Sequence, residues 1–223
     1  MSHKNLNVKN KIPKVLKEKL NNKKINLLYE NFQKSLNLND NFIVSISGGP
    51  DSLALAFLSK IYSIDKRLTS RFVIVDHKLR VESTIEAIKV KKLLKKFHIN
   101  AEILTWVGKK PLNNIQSIAR NERYKLLFEK CKKHKINNVL IGHHQDDVFE
   151  NFFIRLLRGS GLKGLVSLGR KTQVSEINLL RPLLNFKKND LIFLSKFVFD
   201  FYVVDPSNKD QKYQRIRIRK LIE

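Results

Sequence analysis

Cysteine is nearly absent: Cys131 is the sole one in 223 residues. A disulfide framework is therefore excluded, and so is a metal or iron–sulfur site built from cysteines alone. No apolar run approaches the roughly 18 residues that span a bilayer, so no membrane-crossing helix is expected. Neither the apolar core of a secretory signal nor an Arg-rich transit pattern stands at the N-terminus. These absences lead us to expect a cytoplasmic protein. Acidic residues are scarce as well, 20 Asp plus Glu against 44 Lys plus Arg, which leaves a formal charge of +24. That excess has a plain source in a composition rich in Lys, Asn and Ile together. It also produces a field that draws polyanions, with nucleic acid first among them.

The hydrophobic share of 42% and charged share of 29% are those of a folded domain. The length suits one sizeable domain with a small appendage. Residues 1–24, rich in Lys and Asn and free of Arg, read as a basic N-terminal extension ahead of a domain over 25–223. Short β-branched runs at 42–47, 71–76, 101–106, 138–142 and 202–204 alternate with helical periodicity at 53–64, 82–97, 115–133, 146–158, 186–199 and 212–222. The pattern predicts an α/β fold, a parallel sheet of about five strands with helices on both faces. In such a sheet ligands bind at the carboxyl ends of the strands. Most of the residues with chemistry to offer fall there, at 47–52, 76–80, 106–108 and 142–147.

Ser47-Gly-Gly-Pro-Asp-Ser52 joins the first strand to the first of these helices. Two glycines permit a tight turn and close approach of a ligand. The following amides and the helix dipole favour an anion such as pyrophosphate. A plain helix cap would need fewer of these residues, and the Gly-Lys-Ser/Thr ending of a Walker loop is missing. In Gly142-His-His-Gln-Asp-Asp-Val-Phe-Glu150, His143 and Asp147, like Asp146 and Glu150, stand four apart on one helix face. This cluster reads either as carboxylates facing phosphates, holding Mg²⁺ or a substrate ammonium, or as a transition-metal site. Arg120 and Arg123 share a helix at a spacing of three, as a solvated face or as guanidinium forks for phosphate. Gly159-Ser-Gly-Leu-Lys-Gly164 matches a dinucleotide fingerprint in letters only, because no strand leads into it. The lysines of 89–96 read as a solvated face, whereas Arg215, Arg217, Arg219 and Lys220 are denser and suit phosphate contacts.

The 47–52 segment resembles the pyrophosphate-binding loop of the N-type ATP pyrophosphatases, which cleave ATP between its α and β phosphates. Ala119-Arg-Asn-Glu-Arg-Tyr124, the 142–150 segment and Arg155-Leu-Leu-Arg-Gly-Ser-Gly-Leu-Lys-Gly-Leu165 follow in the order found in the tRNA(Ile)-lysidine synthetase family. Val75-Asp-His-Lys-Leu-Arg80, Arg181-Pro-Leu-Leu184 and Asp205-Pro-Ser-Asn208 fit that family too, so the resemblance covers residues 42–222. Asn151 stands in place of the usual Thr, and Ile216 in place of the usual Asn of an Arg-Asn-x-Ile-Arg stretch.

The resemblance implies an adenine nucleotide alpha hydrolase-like, Rossmann-like fold. It implies ligation of lysine to C2 of the wobble cytidine (position 34) of tRNA(Ile) with a CAU anticodon, through an adenylated intermediate, with ATP and Mg²⁺. Its implied catalytic residues are Asp51, Arg123, Asp147 and Glu150, with Asp51 and Asp147 holding the metal. ATP would meet Ser47, Gly48, Gly49, Pro50, Asp51, Ser52, Asp76, His77, Arg120, Gly142 and His143. RNA would meet Arg155, Arg158, Lys163, Arg215, Arg217 and Arg219. The tRNA-binding domains that follow the catalytic one in longer family members are not expected here. A minimal enzyme, a homodimer and one piece of a longer product all remain open.

Overall fold

The computed structural model describes residues 12–108, 111, 113–161, 168–204 and 216–218. Two helices lead in, α1 (Lys14–Leu20) and α2 (Lys23–Ser35). Asn22 caps α2, its side-chain oxygen accepting from the backbone N–H of Lys24 and Ile25 at 3.0 and 3.2 Å. Ile25, Leu28, Tyr29 and Phe32, spaced by three and four, bury one face of α2, and Leu16 of α1 is fully buried beside them. Residues 14–24 thus pack as part of the body rather than standing off as an extension. Residues 1–11 lie outside the described set.

β1 (Phe42–Ile46), α3 (Pro50–Asp65), β2 (Ser70–Asp76), α4 (Ser83–Lys96), β3 (Ala101–Thr105), α5 (Ile115–His134) and β4 (Asn138–Leu140) follow the expected alternation. α6 (Gln145–Leu157) comes next, then β5 (Lys171–Val174), β6 (Ile177–Leu180) and α7 (Lys188–Phe199). The sheet has six strands in the order β3-β2-β1-β4-β6-β5, and all neighbours are parallel except the β5–β6 pair. This β5–β6 hairpin differs from the expected set, in which residues 202–204 supplied the last strand. Those residues are irregular here and touch the 47–52 loop instead, Val203 donating its N–H to the Gly48 carbonyl at 2.9 Å. Of the helix expected over 212–222, only residues 216–218 are described, as helical.

Alternation along the strands divides the core. Phe42, Val44, Ile46, Phe72 and Ile74 face α2, α3, α4 and α7. Ile43, Val73, Val139, Ile177 and Leu179 face Leu127 and Cys131 of α5. Cys131 is buried, and burial raises its thiol pKa to about 11, so it serves as a small apolar side chain. Strand order reverses direction between β1 and β4, which opens a crevice at their carboxyl ends.

Candidate active site

Residues 47–49 turn the chain from β1 into α3 at that crevice. Gly48 has φ +89°, and a Cβ on it would stand 2.8 Å from Val90 Cγ2 and 3.0 Å from Val203 Cγ2. Glycine alone fits both the dihedral and the space. Gly49 is the N-cap of α3 without a side-chain cap, and Pro50 opens the helix. The Ser52 hydroxyl closes the turn: it accepts from the N–H of Ser47 and Gly48 at 3.1 and 3.0 Å and donates to the Gly49 carbonyl at 2.9 Å. Ser52 therefore shapes the loop from below, while Ser47 is exposed at its rim. The first turn of α3 presents its N–H groups and the positive dipole end to the opening.

Gly142 lets the end of β4 approach this turn, since a Cβ there would lie 3.3 Å from the backbone of Asp51 and Ser52. The chain then enters α6 with carboxylates in its first turn, where they complement the dipole. Asp147 accepts the His144 N–H at 2.9 Å, and His144 Nδ1 accepts the Asp146 N–H at 3.3 Å. That places the His144 proton on Nε2, which faces Asp51 at 3.8 Å and Asp147 at 3.6 Å. From the other side Lys188, in the first turn of α7, donates to both Asp51 carboxylate oxygens at 2.7 Å. Asp51 and Asp147 are hard oxygen donors converging on the loop. Among the described residues no group of three or more His, Cys, Asp or Glu is arranged to hold a metal. Two carboxylates suit Mg²⁺, which takes one or two of them together with substrate phosphates.

A cleft of about 340 Å³ opens beside the loop, lined by Asp51, Asp76, His77, Arg123, Gly142 and His143 among others. Asp76 is buried, and burial alone would raise its pKa. The Thr84 hydroxyl at 2.6 Å, the Lys78 N–H at 3.0 Å and the Ser83 hydroxyl at 2.7 Å outweigh that and hold the carboxyl below its ordinary range. Its side chain thereby folds the 76–84 loop that walls the cleft. His77 is kept neutral down to about 4 by burial and then by the Arg123 charge, against the pull of Asp76. Its Nδ1 is buried with no hydrogen-bond partner among the described residues. His143 is neutral down to about 3, chiefly through burial; Asp147 pulls the other way, and Arg181, Arg120 and Arg123 act with burial. Arg181 donates from Nε to His143 Nδ1 at 3.2 Å.

Of the ATP-contacting set expected from sequence, the 47–52 loop, Asp76, His77, Gly142 and His143 converge here. Arg120 does not: its guanidinium lies 5.1 Å from the Tyr124 ring and lines a different cleft, one turn before Arg123. Glu150 is buried on α6. Arg155 donates to Asn151 at 3.2 Å, Arg158 is exposed at the end of α6, and Arg217 is exposed between buried Ile216 and Ile218. Burial of Ile216 gives its apolar side chain a physical reason. Lys163, Arg215 and Arg219 lie outside the described residues. No sequence pattern gives Lys188 or Arg181 a role, whereas His144 belongs to the 142–150 cluster that reads as a metal site or a carboxylate site. Lys188 is 137 positions from its partner Asp51, a separation that no spacing rule links.

The family model for the PP-loop domain matches residues 17–223. The chain belongs to the PP-loop family. It is 40% identical over 185 residues to a tRNA(Ile)-lysidine synthase of Orientia tsutsugamushi (strain Boryong), covering 83% of this chain and 42% of that one. It is 37% identical over 202 residues to a tRNA(Ile)-lysidine synthase of Wolbachia pipientis wMel, covering 89% and 47%. The chain thus spans about half the length of the curated relatives it matches. Among solved structures, a U34-tRNA thiolase of Methanococcus maripaludis with its [4Fe-4S] cluster aligns with a TM-score of 0.73 at 20% identity, over 89% of this chain and 72% of that one. That likeness establishes the shared PP-loop fold. ATP use follows from the family, and the 47–52 turn is the segment that resembles its pyrophosphate loop.

Proposed function

We propose that this protein ligates lysine to C2 of the wobble cytidine (position 34) of tRNA(Ile) with a CAU anticodon, forming lysidine. The observation that carries this reading is the name shared by the curated relatives, tRNA(Ile)-lysidine synthase, matched at 34–40% identity over 80–89% of this chain. The C2 oxygen of cytidine attacks the α-phosphorus of ATP, the α–β phosphoanhydride bond breaks, and pyrophosphate leaves. A lysine amine then attacks C2, the C2–O bond breaks, and AMP departs with that oxygen and a proton is released. The PP-loop amides and the α3 dipole receive the departing pyrophosphate. Arg123, on the cleft wall, stabilises the charge that develops there. Asp51 and Asp147 would hold Mg²⁺, which supplies charge neutralisation at the phosphates. Asp147, with Glu150 behind it on α6, forms the carboxylate side that meets the lysine. Arg155, Arg158, Lys163, Arg215, Arg217 and Arg219 are offered to RNA phosphates, and the reaction sets the protein in the cytoplasm.

The test is to incubate the purified protein with ATP, Mg²⁺, lysine and a tRNA(Ile) transcript and to follow pyrophosphate. Release that requires both tRNA and lysine supports the reading. Turnover independent of both, driven by a small acid, overturns it.

A further inference from the structure

α5 covers the sheet over β1, β2 and β4, and on that face the β6–β5 hairpin continues past it. Thr172 pairs with Leu179 and Val174 with Ile177, so these side chains face the α5 side. Between α5 and the hairpin lies a cleft of about 680 Å³. That volume falls within the roughly 300–1,000 Å³ of ligand pockets. Arg120, Tyr124, Phe128 and Lys132 line it at four-residue intervals along α5, with Lys125 beside them. The Tyr124 and Phe128 rings lie 5.9 Å apart and are inclined by only 31°, so they form a tiled aromatic strip. Lys125 and Lys132 are exposed, and Glu129 is the one acid on the rim. The far wall is Arg181, whose guanidinium is spent on protein acceptors. It donates to the Gly169 carbonyl at 2.9 Å, the Thr172 hydroxyl at 2.8 Å and His143. His143 lines the nucleotide cleft on its other side, so a partition of two side chains separates the two clefts.

We propose that this α5–hairpin cleft seats single-stranded RNA next to the reacting nucleotide, with bases on the Tyr124–Phe128 strip and phosphates at Arg120, Lys125 and Lys132. Flat rings bordered by cations are what sequence-tolerant single-strand binding uses, because every base offers a π-face and every linkage a phosphate. Among the described residues that line it, this cleft has no glycine turn and no helix N-terminus, unlike the nucleotide cleft. A strand lying in it passes one partition away from the PP-loop. The assignment rests on the tRNA-modifying reading and adds to it a binding surface on the catalytic body.

The test measures binding of a fluorescent RNA stem-loop with a seven-nucleotide CAU-containing loop to the full chain, over a series of salt concentrations. The double variant Lys125→Glu/Lys132→Glu should lose about tenfold or more in affinity, and its dependence of log Kd on log salt should flatten by about one to two. Its ATP affinity should match that of the unaltered protein, which also reports the fold. Lys92→Glu/Lys95→Glu makes the same charge change at exposed positions of α4, across the sheet, and should lose little. A loop carrying 4-thiouridine should crosslink to the peptides that hold Tyr124 or Phe128. Unaltered RNA affinity in the cleft variant, equal losses in both double variants, or crosslinks that miss α5 would each overturn the assignment while leaving the tRNA reading in place. No RNA binding by the unaltered protein would remove both.

Discussion

Lys188 and Asp51 are joined through both carboxylate oxygens, each 2.7 Å from the ammonium. α7 thereby grips the PP-loop at its first helical turn, and Ser195 adds a second tie by donating to the Pro50 carbonyl at 2.6 Å. The ammonium neutralises the one carboxylate that stands inside an anion-binding turn. Without it, and without the Mg²⁺ that Asp51 and Asp147 would share, Asp51 would repel the polyphosphate that the α3 dipole attracts, so the effect is read in metal-free buffer. Lys188→Met should weaken ATP binding by about tenfold, or about 1.4 kcal/mol, and Lys188→Arg should restore most of it. Calorimetric titration with ATP checks this; equal affinity in Lys188→Met would show that Asp51 needs no such partner.

Gly48 and Gly49 separate the needs of the fold from those of the ligand. At Gly48 the positive φ and the contact with Val90 make Ala costly, by about 1–3 kcal/mol. At Gly49 a Cβ meets only the Ser47 hydroxyl, at 3.8 Å, and the backbone is extended. Gly49→Ala should therefore keep its urea-unfolding midpoint and lose ATP affinity, because the added methyl stands on the open side of the loop. Gly48→Ala should show a lowered midpoint.

Arg181 is 5% exposed and ties together His143, the Gly169 carbonyl and Thr172. Its removal takes a donor from the half-buried His143 ring and Thr172 hydroxyl and from the carbonyl of the exposed Gly169, which water can reach. Arg181→Met should lower the unfolding free energy by about 1–2 kcal/mol. Arg181→Lys should recover little, since one ammonium cannot reproduce a planar fork. Denaturant titration distinguishes these outcomes.

Acid should weaken the fold through His77. In the unfolded chain an imidazole titrates near 6.5 (roughly its reference value). In the folded state burial, followed by Arg123, holds His77 neutral down to about 4. Between those values the unfolded state binds more protons, so the unfolding free energy falls as pH drops from 6.5 towards 4. The contribution is fully present above that window. Urea unfolding at pH 7 and pH 5 should show the decline, and His77→Asn should make it shallower. A slope unchanged in His77→Asn would place the titration elsewhere.

The strands β1 to β4 and helices α3 to α7 were legible because short β-branched runs alternate with longer segments of helical spacing, and the 47–52 turn because two glycines stand between them. α1 and α2 were hidden by lysines: in the first 24 residues charge swamps the buried Leu16, and the stripe from Ile25 to Phe32 begins beyond them. β5 shows almost no apolar signal, since Lys171, Gln173 and Val174 are exposed on an edge strand. Spacing and the 119–124 motif group Arg120 with Arg123, yet a step of three residues along α5 turns it into the neighbouring cleft. The Lys188–Asp51 and Arg181–His143 contacts join distant parts of the chain, and such pairings exist only once the sheet is assembled.

Lysine joined to the tRNA cytidine, as proposed, is read directly from the nucleoside. tRNA(Ile) transcript with a CAU anticodon is incubated with the protein, ATP, Mg²⁺ and isotopically labelled lysine, digested to nucleosides, and analysed by mass spectrometry. The position-34 cytidine should gain the mass of lysine less water and carry the label, and Asp51→Ala and Asp147→Ala should abolish the product. An unmodified cytidine beside tRNA-dependent pyrophosphate release, or a modification without the label, would contradict it.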